Sequence, residues 1–72
     1  MMNVFIFVSN IESVEDLSQL KKVFDKQIEI QNWSVDLTDE ERVLRVETDG
    51  LERCEIITLV RSCGYDCYKM DW

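Results

Sequence analysis

The sequence contains no histidine and no proline, and it has only two glycines and three cysteines. Without histidine, no serine or cysteine can be activated by an imidazole base, so we expect no enzymatic activity. Three cysteines are an odd number and too few for a scaffold held by disulfides, which favours reduced thiols in the cytoplasm. No apolar run approaches the roughly 18 residues of a membrane-spanning helix, so no membrane insertion is expected.

Charge is strongly unbalanced in this chain. Eight Lys and Arg residues against fifteen Asp and Glu residues give a net charge of −7. Such a surface repels phosphate groups, which argues against nucleic acid as a partner and leaves basic proteins and metal cations. The hydrophobic fraction of 46% over 72 residues predicts a single compact domain spanning residues 1–72.

The first half of the chain has the pattern of a strand followed by an amphipathic helix. The apolar run Val4–Val8 is typical of a strand with neighbours on both sides. Ser13 is a good N-cap, and Asp16 three residues later completes a capping-box variant. The apolar face of the helix that follows consists of Leu17, Leu20 and Phe24.

The second half repeats the strand–helix–strand pattern. In order, it predicts strands over Ile30–Leu37 and Arg42–Glu47, a helix over about Glu52–Cys63 closed by Gly64, and a strand over Asp66–Trp72. Two such units joined by a hairpin predict an α+β fold, the ferredoxin-like βαββαβ sandwich. Its four-stranded antiparallel sheet has the order 4-1-3-2, both helices cover one face, and the other face stays open.

With these elements placed, the chain resembles the heavy-metal-associated domains of copper chaperones and metal-transporting P-type ATPases. Asn10-Ile11 stands where that family has Gly-Met, and Gly64-Tyr65 matches the Gly-Tyr/Phe that opens its last strand. Core matches in strands and helices are Val4, Ile6, Val8, Leu17, Leu20, Phe24, Val35, Leu37, Ile56, Ile57 and Val60. These are mostly core positions, so the resemblance implies the fold more strongly than the function.

The resemblance implies a soft-metal site that this chain lacks. The family binds Cu(I) through Cys-x-x-Cys at the start of the first helix, and those two positions carry Ser13 and Asp16 here. A hydroxyl and a carboxylate are hard ligands that do not replace thiolates for Cu(I). We therefore expect no metal at this loop, no cofactor, and a capping role for both side chains.

The cysteines leave alternatives open. Cys63 and Cys67 flank Gly-Tyr-Asp and, with Asp66, are a candidate site for zinc or copper. The same pair is a candidate for a regulatory disulfide, whereas Cys63 on the apolar helix stripe is also consistent with a small buried residue. Cys54 points away from that stripe, which predicts an exposed thiol that is either unremarkable or redox-sensing.

The open sheet face is the remaining functional lead. If Val4, Ile6 and Val8 point inward, Phe5 and Phe7 point outward. The interaction surface predicted on this basis consists of Phe5, Phe7, Val43 and Trp72. Alternatively, Arg45 and Lys69 shield the two phenylalanines. The alternation leaves open whether Tyr68 and Met70 face the core or the open side.

Together these observations predict a small non-catalytic binding module. It would resemble the heavy-metal-associated domains without their Cu(I) site, and it would act through contacts with an unknown protein partner or a second copy of itself. The alternative is binding of zinc or a soft metal through Cys63 and Cys67 in metal homeostasis.

Overall fold

Six secondary-structure elements follow one another in the computed structural model, which describes residues 2–70. They are β1 (Asn3–Ser9), α1 (Val14–Phe24), β2 (Ile30–Val35), β3 (Leu44–Thr48), α2 (Arg53–Ser62) and β4 (Cys67–Lys69). The strands form one antiparallel sheet in the order β2-β3-β1-β4, which confirms the predicted ferredoxin-like topology. Neither helix is long and apolar enough to cross a bilayer within the described residues.

The hydrophobic core lies between the two helices and one face of the sheet. Phe5 and Phe7 of β1 stand opposite Val46 and Leu44 of β3. The buried core residues are Phe7, Ile11, Leu20, Phe24, Leu44, Val46, Leu51, Ile56, Val60 and Cys67. All the helix residues in this set come from the predicted apolar faces of α1 and α2, because only those faces contact the sheet.

The side chains of β1 face the opposite way from the prediction. Phe7 is fully buried and Phe5 packs against the core, whereas the Val4 side chain is 47% exposed. Each phenylalanine ring can bury more apolar area than a valine or an isoleucine in its place, so packing favours the strand orientation that turns the rings inward. A two-residue period cannot distinguish the two orientations, since β1 is apolar at every position. Phe5 and Phe7 therefore do not belong to the open face.

The open face is built from the other set of β1 residues. Val8 stands opposite Tyr68, whose side chain is 64% exposed, and Val4 and Ile6 stand opposite Glu47 and Arg45. The alternation left open for the last strand is thus settled, with Cys67 in the core and Tyr68 on the open side. Val43 is half-buried just before β3, and Trp72 lies outside the described residues.

β2 is shorter than predicted, and β3 and β4 begin later than predicted. β2 ends at Val35 rather than Leu37, and β3 begins at Leu44 rather than Arg42. The intervening hairpin is wider because Arg42 takes a left-handed φ of 47° and its guanidinium donates to the Leu37 carbonyl. β4 is assigned over Cys67–Lys69, and the predicted end at Trp72 lies outside the described residues.

The orientation of β1 can be tested by mutation. We expect Phe7→Ala to lower the free energy of unfolding by roughly 3–5 kcal/mol and Phe7→Leu by roughly 1–2 kcal/mol, because each leaves a cavity in the core. Val4→Ala is expected to cost less than about 1 kcal/mol, because this side chain is half-exposed. Urea unfolding followed by far-UV circular dichroism measures all three. A larger loss in Val4→Ala than in Phe7→Leu would contradict the observed orientation.

Candidate functional site at the start of the first helix

The loop that connects β1 to α1 is fixed at both of its ends. The Ser9 N–H donates to the Glu41 carbonyl at 3.1 Å, and the Ser9 hydroxyl donates to the Arg42 carbonyl at 2.6 Å. Two residues later, Ile11 is fully buried in the core. The loop is therefore hydrogen-bonded to the β2–β3 hairpin through Ser9 and packed into the core through Ile11. Both contacts restrict its movement.

A second set of bonds joins this loop to the connection between α2 and β4. The Asn10 N–H donates to the Asp66 carbonyl at 3.2 Å, and the Asn10 side-chain carbonyl accepts the Asp66 N–H at 2.9 Å. Asn10 thus bonds the same residue through its backbone and its side chain. Asn10 therefore has a structural role. A glycine at this position could make the backbone bond but not the side-chain bond.

The first helix is capped as the sequence predicts, with one difference. Ser13 has extended backbone angles (φ −140°, ψ 169°), and its hydroxyl accepts the Asp16 N–H at 3.2 Å. The Asp16 carboxylate accepts a backbone N–H in return, but that N–H belongs to Glu12 at 3.0 Å. The N-cap role of Ser13 is confirmed, because its hydroxyl satisfies an amide that the helix leaves unbonded. The Asp16 carboxylate points back toward the start of the helix as predicted, but it bonds the residue before the cap rather than the cap itself.

Tyr65 adds a contact that the sequence analysis missed. Its hydroxyl donates to the Asp16 carboxylate oxygen Oδ1 at 2.7 Å, while Oδ2 accepts the Glu12 N–H. Tyr65 follows Gly64, which takes the predicted left-handed conformation (φ 92°) after α2 and so turns the chain back toward α1. The Gly-Tyr pair was the available signal, but nothing in its spacing indicates which partner the hydroxyl meets.

The electrostatics of the pair follow from this hydrogen bond. The pKa of Asp16 is lowered from its usual value of 3.8, first by the Tyr65 hydroxyl and then by the Glu12 N–H. The pKa of Tyr65 is raised from 10.0, first by the hydrogen bond to Asp16. At neutral pH the site therefore holds a charged carboxylate and a neutral phenol, both engaged with each other.

The described residues contain no group of three or more cysteine, aspartate or glutamate side chains arranged to hold a metal ion. Cys63, Asp66 and Cys67 accordingly do not form such a group, although all three lie around one turn. The Asp66 carboxylate instead pairs with the exposed Arg61 side chain at 3.4 Å.

The two cysteines of that turn differ in environment. Cys63 is the C-cap residue of α2, half-buried, with its thiol 3.5 Å from the Leu59 carbonyl. Cys67 is only 4% exposed, and burial, followed by the nearby Asp66 charge, raises its pKa to about 11. Cys67 is therefore almost wholly protonated at pH 7, whereas the thiolate is the form that binds metal and reacts.

Cys54 lies in the first turn of α2 and is exposed, in agreement with its predicted position. The structure shows three free cysteines among the described residues. Exposure alone does not assign Cys54 a redox role, which stays a hypothesis.

Comparison with known proteins finds similarity in structure but not in sequence. The chain matches no family model and no curated protein by sequence. Among solved structures it is similar to the apo form of the HMA (heavy-metal-associated) domain of a copper chaperone for superoxide dismutase, with a TM-score of 0.82, 17% identity, and coverage of 99% of this chain and 69% of that chain.

Two further structures agree with this match. The copper(I)-loaded first domain of the human copper chaperone for SOD1, CCS, gives a TM-score of 0.80 and 17% identity over 96% of this chain and 93% of that chain. The Atx1-Cu(I)-Ccc2a complex gives 0.79 and 13% identity over 94% of each. The chain thus has the ferredoxin-like sandwich, and specifically the fold of heavy-metal-associated domains. Identities this low establish the fold alone.

The Tyr65–Asp16 bond predicts a pH dependence that can be measured. A lowered carboxyl pKa stabilises the folded state above the unfolded-state pKa, and this contribution is lost as pH falls through the lowered value. A raised tyrosine pKa stabilises below about pH 10 and is lost at higher pH. Wild type should therefore unfold at a higher urea concentration than Tyr65→Phe from about pH 5 to 9. This difference should vanish in acid.

Carboxyl NMR titration gives the direct readout of the same bond. The pKa of Asp16 should rise in Tyr65→Phe, because the largest cause of its lowering is removed. Tyr68→Phe is the matched control, since this exposed tyrosine lies on the open face. An unchanged Asp16 pKa in Tyr65→Phe would contradict the hydrogen bond.

The cysteine environments predict an order of alkylation. With iodoacetamide at pH 8, we expect Cys54 to react first and Cys67 last, because Cys67 is buried and carries a raised pKa. Mass spectrometry of digested samples over time gives the rate at each residue. Mild urea should speed labelling of Cys67 far more than that of Cys54. Equal rates for the two in native buffer would contradict the observed burial.

Proposed function

We propose that this chain is a non-catalytic binding module with the heavy-metal-associated fold, which holds no metal at its β1–α1 loop and acts through contacts with another protein. The observation that carries this proposal is the use of the Asp16 carboxylate. Both of its oxygens are engaged, one by the Glu12 N–H and one by the Tyr65 hydroxyl.

A soft ion at this loop would have to compete with those bonds. Ser13 and Asp16 offer oxygen where Cu(I) requires sulfur, and their oxygens already bond the Asp16 and Glu12 amides. The buried Ile11 and the doubly bonded Asn10 further restrict opening of the loop. The local structure therefore favours a closed helix start over a binding site.

Protein contact is supported by the exposed apolar surface and by precedent in the fold. Val4 and Tyr68 are exposed on the open face, with the half-buried Ile6 and Val8 between them. This face replaces the surface predicted around Phe5 and Phe7. Atx1 and Ccc2a have been solved in complex with each other, and a protein partner in the cytoplasm is our inference for this chain. A second copy of the chain is the alternative partner.

Metal binding by Cys63 and Cys67 is the competing function, because both are free thiols at the two ends of one short turn. Its main obstacle is the raised pKa of Cys67, since deprotonation must accompany binding. The two functions make opposite predictions for a metal titration.

We expect the reduced wild-type protein to take no Cu(I) from the colorimetric chelator bicinchoninate under anaerobic conditions. Ser13→Cys combined with Asp16→Cys should withdraw about one equivalent, because two thiolates at this spacing supply the soft ligands that the loop lacks. The single variant Ser13→Cys is the matched control and should behave like wild type. An NMR amide spectrum checks that each variant is folded.

The same titration decides the competing function. Uptake of Cu(I) or Zn(II) by wild type that is lost in Cys63→Ser and in Cys67→Ala, but kept in Cys54→Ser, would overturn the metal-free proposal and establish the cysteine site. Failure of the double-cysteine variant to bind, while it remains folded, would contradict the proposed correspondence between this loop and a metal loop.

A further inference from the structure

The two edges of the sheet differ in length and charge. β4 has three residues, one of which is Lys69, and Asp66 precedes it. β2 has six residues, Ile-Gln-Asn-Trp-Ser-Val, with no charge in a chain that is 32% charged. Proteins commonly protect exposed edges with charge, above all lysine, to prevent strand pairing. The β2 edge carries no such charge.

The backbone of β2 presents hydrogen-bonding groups to the outside of the sheet. The Asp36 N–H donates inward to the Val43 carbonyl at 2.9 Å. Because alternate amides point to opposite sides of a strand, the amides of Val35 and Trp33 point outward. The Trp33 amide donates locally, to the side-chain oxygen of its neighbour Asn32 at 3.0 Å. An incoming strand can replace this local bond with a ladder bond.

A polar concavity of about 250 Å³ opens beside the start of this edge. It lies between the end of α1 and the bulge that interrupts the pairing of β2 with β3 between Ile30 and Asn32. Its lining consists of Phe24, Asp25, Gln27, Ile30, Gln31, Asn32 and Trp33. Three amide side chains in this set provide acceptors for a cationic side chain. The Asp25 carboxylate already pairs with Lys21 at 2.8 Å, so the amide oxygens are the acceptors on which an incoming cation depends.

Charge selects the class of partner. The chain carries −7 overall, and the residues bordering β2 are Glu29 and Asp36. A second copy would bring the same negative charge and no lysine or arginine from its own β2. An extended segment bearing Lys or Arg is attracted by this field and can place a cation among the acceptors.

We propose that the β2 edge pairs with an extended, basic segment of another protein, which adds a strand to the sheet and inserts a Lys or Arg side chain into the concavity at Gln31. Main-chain hydrogen bonds would supply affinity, and the concavity would supply specificity, as in other strand-addition complexes. This inference rests on the proposed protein-binding function and specifies the surface that serves it.

The test uses the whole chain and a seven-residue peptide, capped at both termini, in which lysine alternates with threonine or valine. We expect shifts of the Trp33 and Val35 amides in ¹⁵N NMR titrations. A peptide with glutamate for lysine should not bind. A third peptide keeps the lysines but is N-methylated at alternate residues, so it retains charge and loses strand pairing. Its affinity should fall about tenfold or more.

Charge variants of the protein provide the matched comparison. Gln31→Lys should weaken peptide binding about tenfold, whereas Gln31→Glu should preserve or strengthen it. Ser62→Lys is the control, because it makes the same charge change at an exposed site at the end of α2. It should alter affinity less than about threefold.

Several outcomes would overturn this inference. They are the absence of binding, equal binding of the N-methylated peptide, shifts confined to the α1 lysines, and sedimentation showing a dimer with protected β2 amides. Shifts confined to Val4, Ile6 and Tyr68 would also overturn it, but they would leave a protein-binding function intact through the open face. The metal titration can fail independently of all of these, so the two proposals are separable.

Discussion

The carboxylate of Asp16 joins parts of the chain that lie far apart in sequence. It satisfies an amide at the start of α1 and the hydroxyl of Tyr65, 49 positions away. A single ionised group thus links the helix start to the connection that leads into β4. Because a charged acceptor strengthens both bonds, Asp16 connects the loop before α1 to the turn after α2.

Much of the architecture could be predicted from local patterns. The cap at Ser13 and the terminating Gly64 have specific backbone requirements, and both are found where the sequence indicates them. The facing of β1 was predicted wrongly, because a strand that is apolar at every position gives no alternation. Only the volume of the space under the helices decides in favour of Phe7, and that space is a property of the assembled fold.

Only one of the two contacts that define the candidate site could be predicted from the sequence. The cap between Ser13 and Asp16 is local, so spacing reveals it. The bond from Tyr65 depends on how the turn after α2 is directed, and no short-range signal encodes that direction. The same limit applies to the hairpin between β2 and β3, where Arg42 is left-handed and β3 begins later than predicted. Arginine is not one of the residue types that commonly take this conformation, so the sequence gives no signal for it.

Thr48 has a consequence for the sheet edge. Its buried hydroxyl and the Asp49 N–H both donate to the Glu29 carbonyl, at 2.7 Å and 2.8 Å, just before β2 begins. The chain entering the edge strand is therefore already ordered in the free protein. Little conformational entropy remains to be lost there when a strand is added, so the ordering cost falls almost wholly on the incoming segment.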